Sequence, residues 1–169
     1  TGANLGLLGA YGTAWGFDLT WTGLDVARSQ GFTRVARASV GDVPFPAETF
    51  DIVTSFDVLY CLAPAVERAA VAEMWRVLKP GGSAIVNVAA MPLLKGNHSV
   101  LSAEVRRYTR GSLRGLLERQ GFRVEWISYT NAAIFPAMLA VRLAQRVAGF
   151  APEDEATADI TVPAAPVNA

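Results

Sequence analysis

The chain has 169 residues, 51% of them apolar, and its 15 Lys and Arg balance its 15 Asp and Glu to a formal net charge of zero. That length fits one domain with enough apolar material for a core covered on two sides, and the zero balance gives no basic footprint for nucleic acid. Cys61 is the only cysteine and His98 the only histidine, so an internal disulfide is excluded and the pair cannot by themselves make a zinc site. No signal peptide opens the chain, which predicts a soluble, cytoplasmic protein.

From the start, ANLGLLGAYG reads as a short helix, with Leu5 and Leu8 on one face and Gly12 as its stop. Thr13–Leu19 reads as a strand ending in Asp18, followed by Thr20 or Thr22 as N-cap and a helix to Gln30 that Gly31 closes. Thr33–Val40 is the next strand. Phe50–Phe56 (FDIVTSF) follows and is apolar at nearly every position, the pattern of a strand covered on both faces of a parallel sheet. Asp57 stands just past its carboxyl end, where open α/β sheets bind ligands.

Pro64–Leu78 predicts a helix with Val66, Ala70, Met74 and Leu78 as its apolar face and Glu67, Arg68, Glu73 and Arg76 elsewhere. Lys79-Pro80-Gly81-Gly82 stops it in a turn, and Ser83–Ala89 reads as another two-sided strand. After a long polar connection over residues 90–108, Thr109 caps a helix carrying Leu113, Leu116 and Leu117 that Gly121 closes. Phe122–Tyr129 then alternates as a strand. Alternation of strand and helix throughout predicts an α/β fold, a doubly wound, mostly parallel Rossmann-like sheet with helices on both faces.

These residues carry a resemblance. Thr1-Gly2 resembles the end of a glycine-rich GxGxG signature, and GFDL (16–19), PFPAETFDIVTSFDVLY (44–60) and LKPGG (78–82) are similar, in order and spacing, to the later motifs of class I S-adenosylmethionine-dependent methyltransferases of the small-molecule type. RRYTRGSLRGLLERQGF (106–122) is similar to a subgroup of them. The resemblance covers roughly residues 1–130. It implies S-adenosyl-L-methionine as cofactor and a small-molecule methyl acceptor. Such chains begin with a strand that would precede Thr1 and end with a helix and strand that would follow the tail. The 169 residues alone are therefore expected to bind cofactor poorly and to associate.

On that resemblance, the cofactor-binding positions are Gly2, Asp18, Leu19, Ser39, Val40, Phe56 and Asp57. A carboxylate at Asp18, where a strand hands over to a helix, can accept hydrogen bonds from two vicinal ribose hydroxyls; the other reading is a solvated turn. Ser39 and Val40 fall where relatives present an acidic residue and an amide to adenine, and Ser39 reads equally as a plain strand-end serine. Phe56 reads equally as core. Tyr60 and Cys61 stand where relatives often have two histidines, and Cys61 reads as packing. Tyr60, Arg106, Arg107 and Tyr108 are the acceptor-side candidates, guanidinium forks suiting carboxylate or phosphate; solvated loop arginines are the alternative. His98 is the catalytic candidate because its ordinary pKa lets it take a proton near neutral pH; the alternative is a lid residue facing water.

The expected organisation is a methyltransferase-like core over residues 1–131, an apolar helix over 132–149 that packs on the core or serves as a lid, and an extended or disordered tail over 150–169. Pro136, Arg142, Gln145 and Arg146 interrupt the 132–149 run, which makes it a poor membrane span but suits a packed helix or one lying in a membrane surface. The competing function is a non-catalytic, methyltransferase-like scaffold that binds a partner.

Overall fold

The structure, a computed structural model, describes residues 2–94, 104–130 and 135–148. A short helix α1, Ala3–Gly9, leads into strand β1, Gly16–Asp18. Helix α2, Trp21–Ser29, starts where Thr20 accepts a hydrogen bond from the Gly23 N–H, and Gly31 at φ 90° turns the chain away from its end. Strand β2, Val35–Arg37, returns parallel to β1, with Gly16 opposite Val35 and Asp18 opposite Arg37. The predicted strands 13–19 and 33–40 contract to three residues each, because only those residues find a ladder partner.

Strand β3, Phe50–Phe56, has the predicted bounds and pairs in parallel with β4, Leu78–Asn87. Lys79–Gly82 is not a turn ahead of β4 but an excursion inside it: Phe50 faces Leu78, while Ile52 already faces Ser83. Glycine is required at its close. Gly81 sits at φ 80°, and a Cβ on Gly82 would lie 2.8 Å from the Asp51 carbonyl oxygen. Lys79 Nζ meets Asp51 Oδ1 across the same excursion at 2.8 Å.

The expected burial of β3 on both faces is not met, since Ile52 stays 48% exposed and Ser55 alone of the strand is buried. Only one edge of β3 is paired. Its other edge and β1 line a common groove of about 480 Å³, so the described strands form two parallel pairs.

Helix α3, Pro64–Val77, begins with proline at its first turn, where the missing N–H costs nothing. Its buried face is Glu67, Ala70, Val71, Met74 and Val77. The predicted face at intervals of four drifts off a helix with 3.6 residues per turn, which leaves Val66 38% exposed and swings Glu67 inward. Helix α4, Arg110–Glu118, is capped reciprocally by Thr109 and Ser112 and contributes Leu113, Leu116 and Leu117. These pack with Leu59, Ala70, Val71 and Tyr108 in the core.

Phe122–Tyr129 is not a strand, and its alternation of half-buried and exposed side chains breaks at Glu125 and Trp126, which are both exposed. Among the described residues no ladder partner reaches it, and it lines with Ser83–Asn87 of β4 a groove of about 1180 Å³. Helix α5, Phe135–Ala148, falls within the predicted apolar segment. No helix among the described residues is long and apolar enough to cross a membrane.

The loop between β2 and β3 is fastened to α3 by charge. Glu73 Oε2 accepts the Val43 N–H at 2.7 Å, while Arg76 donates to the carbonyls of Val43 and Phe45 at 2.9 and 2.8 Å and pairs with Glu73. Arg76, hydrogen-bonded to Glu73, holds that carboxyl below its ordinary 4.5 against the upward pull of burial. A depressed folded pKa means stability that is whole above the unfolded value and drains as pH falls through the folded one. The urea midpoint is therefore expected to drop as pH falls below about 4.5, and to drop less steeply in Glu73→Gln. Parallel pH profiles for the two proteins would show that this clamp does not contribute.

Candidate functional site

The carboxyl ends of β1, β2 and β3 carry the sequence-predicted cofactor residues. Asp18 closes β1, and its Oδ1 accepts both the Thr20 N–H and the Thr20 hydroxyl at 2.8 Å. Burial pulls this carboxyl up, but the Thr20 hydrogen bonds, together with the amino-terminal charge and the Leu19 N–H, leave the group below its ordinary 3.8, ionised at neutral pH. Thr20 also caps α2, so one residue fixes both the helix start and the carboxylate. Gly23 makes room for it, since a Cβ there would stand 3.0 Å from Asp18 Oδ2.

Leu19 is 62% exposed, and its carbonyl accepts Arg37 Nε at 2.9 Å. Ser39 turns inward on its own loop, with Oγ accepting the Gly41 N–H at 3.2 Å, while Val40 packs against the core. Gly2, at φ 93°, lies so close to Phe32 that a Cβ would meet the ring at 2.5 Å. Gly2, Asp18, Val40 and Phe56 line one groove, that between β1 and β3; Leu19, Ser39 and Asp57 stand outside its lining.

Asp57 has a left-handed backbone, φ 59°, which is uncommon for any residue with a side chain. Its N–H donates to the Asn87 carbonyl at 3.1 Å, and Asn87 Nδ2 donates to Asp57 Oδ1 at 3.2 Å. The half-buried Tyr60 follows in a single 3₁₀ turn, Leu59–Cys61. Burial first, then the negative charges of Asp57, Cys61 and Glu104, push its phenol up. The Cys61 thiol is raised by burial and by Glu104 and Asp57, so it is a poor nucleophile at neutral pH.

Residues 104–108 are stitched across this end of the fold. The N–H groups of Val105 and Arg106 donate to the Tyr60 carbonyl at 2.9 and 3.2 Å, and Tyr108 exchanges main-chain bonds with Ala89 and Met91. Arg107 makes a fork on Glu104, 2.8 and 2.7 Å, and reaches the Ala90 carbonyl at 3.2 Å. Arg106 Nη1 lies 2.7 Å from Glu67 Oε1, a contact of charges in which the N–H is not aimed at the oxygen. The buried Tyr108 hydroxyl donates to Glu67 as well, and burial followed by that carboxylate pushes the phenol far up.

Arg106 and Arg107, whose guanidinium groups were expected to suit an anionic acceptor, thus each meet a carboxylate of this chain. Tyr108 is a core residue. Glu67 and Glu104 are the partners that sequence reading missed. The inward face of a 3.6-residue helix through Ala70 and Met74 would have placed Glu67. His98 lies outside the described residues, and none of the described ones forms a cluster of three or more His, Cys, Asp or Glu able to hold a metal ion.

With this geometry in view, the comparisons define a class. The family described as a methyltransferase domain matches residues 1–86, half of the chain, and the chain belongs to that family. An uncharacterized protein of Haemophilus influenzae is 30% identical over 95 residues, 53% of this chain, which spans 38% of that relative's length. Among solved structures, an S-adenosylmethionine-dependent methyltransferase from Mesorhizobium loti superposes with a TM-score of 0.63 at 19% identity, covering 84% of this chain and 81% of its own. YcgJ from Bacillus subtilis gives 0.64 at 20%, covering 87% and 71%. At those identities the likeness is one of fold, and the fold is the Rossmann-like α/β type. S-adenosylmethionine is the cofactor this family implies. The chemistry of Asp18 suits it: a carboxylate already charged, anchored through one oxygen and with a second oxygen to accept from hydroxyls.

Glu67 meets both Arg106 and Tyr108, so Glu67→Ala is expected to destabilise the fold by about 3 kcal/mol, the cost of leaving a largely buried cation uncompensated. Glu67→Gln, which keeps an acceptor for Tyr108, should lose less. Equal urea midpoints for wild type and Glu67→Ala would contradict that role.

Proposed function

We propose that this chain serves methyl transfer from S-adenosylmethionine to a small-molecule acceptor. The observation that carries this reading is the ionised Asp18 carboxylate at the end of β1, held by Thr20 beside the groove that Gly2, Val40 and Phe56 also line. When bound, the cofactor supplies a methyl group on a positively charged sulfur, already a good leaving group. The protein's part is then to align the acceptor and exclude water.

Asp18 would hold the ribose hydroxyls, with Leu19 and Val40 offering apolar contact and Gly2 a close backbone approach. Phe56 and Asp57 would border the far end of the cofactor. Tyr60, half-buried between Asp57 and Glu104, is the acceptor-side residue, and Arg106, Arg107 and Tyr108 shape its surroundings from their internal partners. A base is needed only for an acceptor that must lose a proton. Tyr60 and Cys61 are both raised and do not supply one near neutral pH. That leaves the role to His98, proposed from its place in the sequence.

The test is binding. In the full-length protein, Asp18→Ala should weaken S-adenosylmethionine and S-adenosylhomocysteine by about 1–3 kcal/mol, the range for buried polar partners left unmatched, when titrated by calorimetry with unchanged circular dichroism. Unaltered affinity would remove Asp18 from the site.

A further inference from the structure

Among the described residues with side chains, Asp57, Glu48 and Met91 alone have left-handed backbones, and Asp57 stands directly after β3 at the edge where the cofactor is proposed to lie. Such a conformation is strained and persists only where the surroundings impose it. Here the imposing group is Asn87, opposite Phe56 in the last pair of the β3–β4 ladder. Its carbonyl takes the Asp57 N–H and its side-chain amide donates to Asp57 Oδ1, so it grips the residue through main chain and side chain together. Neither group is buried, so core packing does not explain the grip. Glycine would adopt this φ freely and asparagine readily; an aspartate held there keeps a carboxylate in one orientation, with Oδ2 left to accept.

Resting on the proposed cofactor reading, we propose that Asn87 is a positioning residue. It fixes the left-handed Asp57 so that the carboxylate receives the amino group on the methionyl end of the cofactor. The backbone strain at Asp57 is kept for that purpose rather than for folding.

Calorimetric titration of the full chain with two probes tests this. S-adenosylhomocysteine carries the amino group and 5′-methylthioadenosine does not. Asn87→Ala should weaken S-adenosylhomocysteine about fivefold, the scale of one net hydrogen bond, and leave methylthioadenosine unchanged. Asp57→Gly should weaken the first probe at least as much while its thermal midpoint stays equal or rises, because the strain is gone. Adding Asn87→Ala to Asp57→Gly should then do nothing more to affinity. Asn87→Asp, the same shape without the donor, should bind no better than Asn87→Ala. Equal losses for both probes, or an Asn87→Ala effect that survives in the Asp57→Gly background, would overturn the assignment. Wild-type chain that binds neither probe would instead defeat the cofactor reading on which it rests.

Discussion

The proposed site is organised by where parallel strands end. The ladder between Phe50–Phe56 and Leu78–Asn87 closes at Phe56 opposite Asn87, and the chain leaving each strand must cross the same edge. Parallel pairing sends both chains out on one side, so polar residues far apart in sequence meet there without any designed contact. Asp57 and Asn87 are 30 residues apart and touch. At the opposite end, where helix α3 runs straight into β4, the four-residue excursion at Lys79–Gly82 shifts the register between Phe50 and Ile52.

A second constraint is charge that must be satisfied internally. Residues 104–108 return from the long connection bearing two adjacent arginines, and each finds a carboxylate: Arg106 at Glu67 and Arg107 at Glu104. Burying a cation without such a partner is costly. The Arg106–Glu67 pair pins this segment against α3, and the Val105 and Arg106 N–H groups tie it to the Tyr60 carbonyl. This part of the strand edge is thereby shaped by residues that do not themselves reach outward, whereas Asp18 keeps one oxygen available because Thr20 binds only the other.

Local chemistry was legible and partnership was not. FDIVTSF announced its strand through β-branched and aromatic residues, and Thr20, Gly31, Thr109 and Gly121 marked helix ends by their side-chain oxygens or by their tolerance of positive φ. Phe122–Tyr129 alternates as a strand should, yet pairing needs a neighbouring edge, about which alternation says nothing. KPGG was read as a stop because glycine and proline signal a turn, not which side of a ladder the turn falls on. Glu67 was placed outside because charge usually is, though the helical period puts it inside. Asn87 carried no signal, for an amide in a strand acquires its role only from the residue opposite. The left-handed backbone of Asp57 is a consequence of that opposition.

Amide NMR of the chain titrated with S-adenosylhomocysteine tests the central claim most directly, because it reports position and not affinity alone. Cofactor seated across the strand ends predicts saturable shifts clustered at residues 18–20 and 56–58, with the Asn87 side-chain amide among them, while α4 stays still. Shifts confined to α4 and Phe122–Tyr129, or none at saturating ligand, would contradict the account.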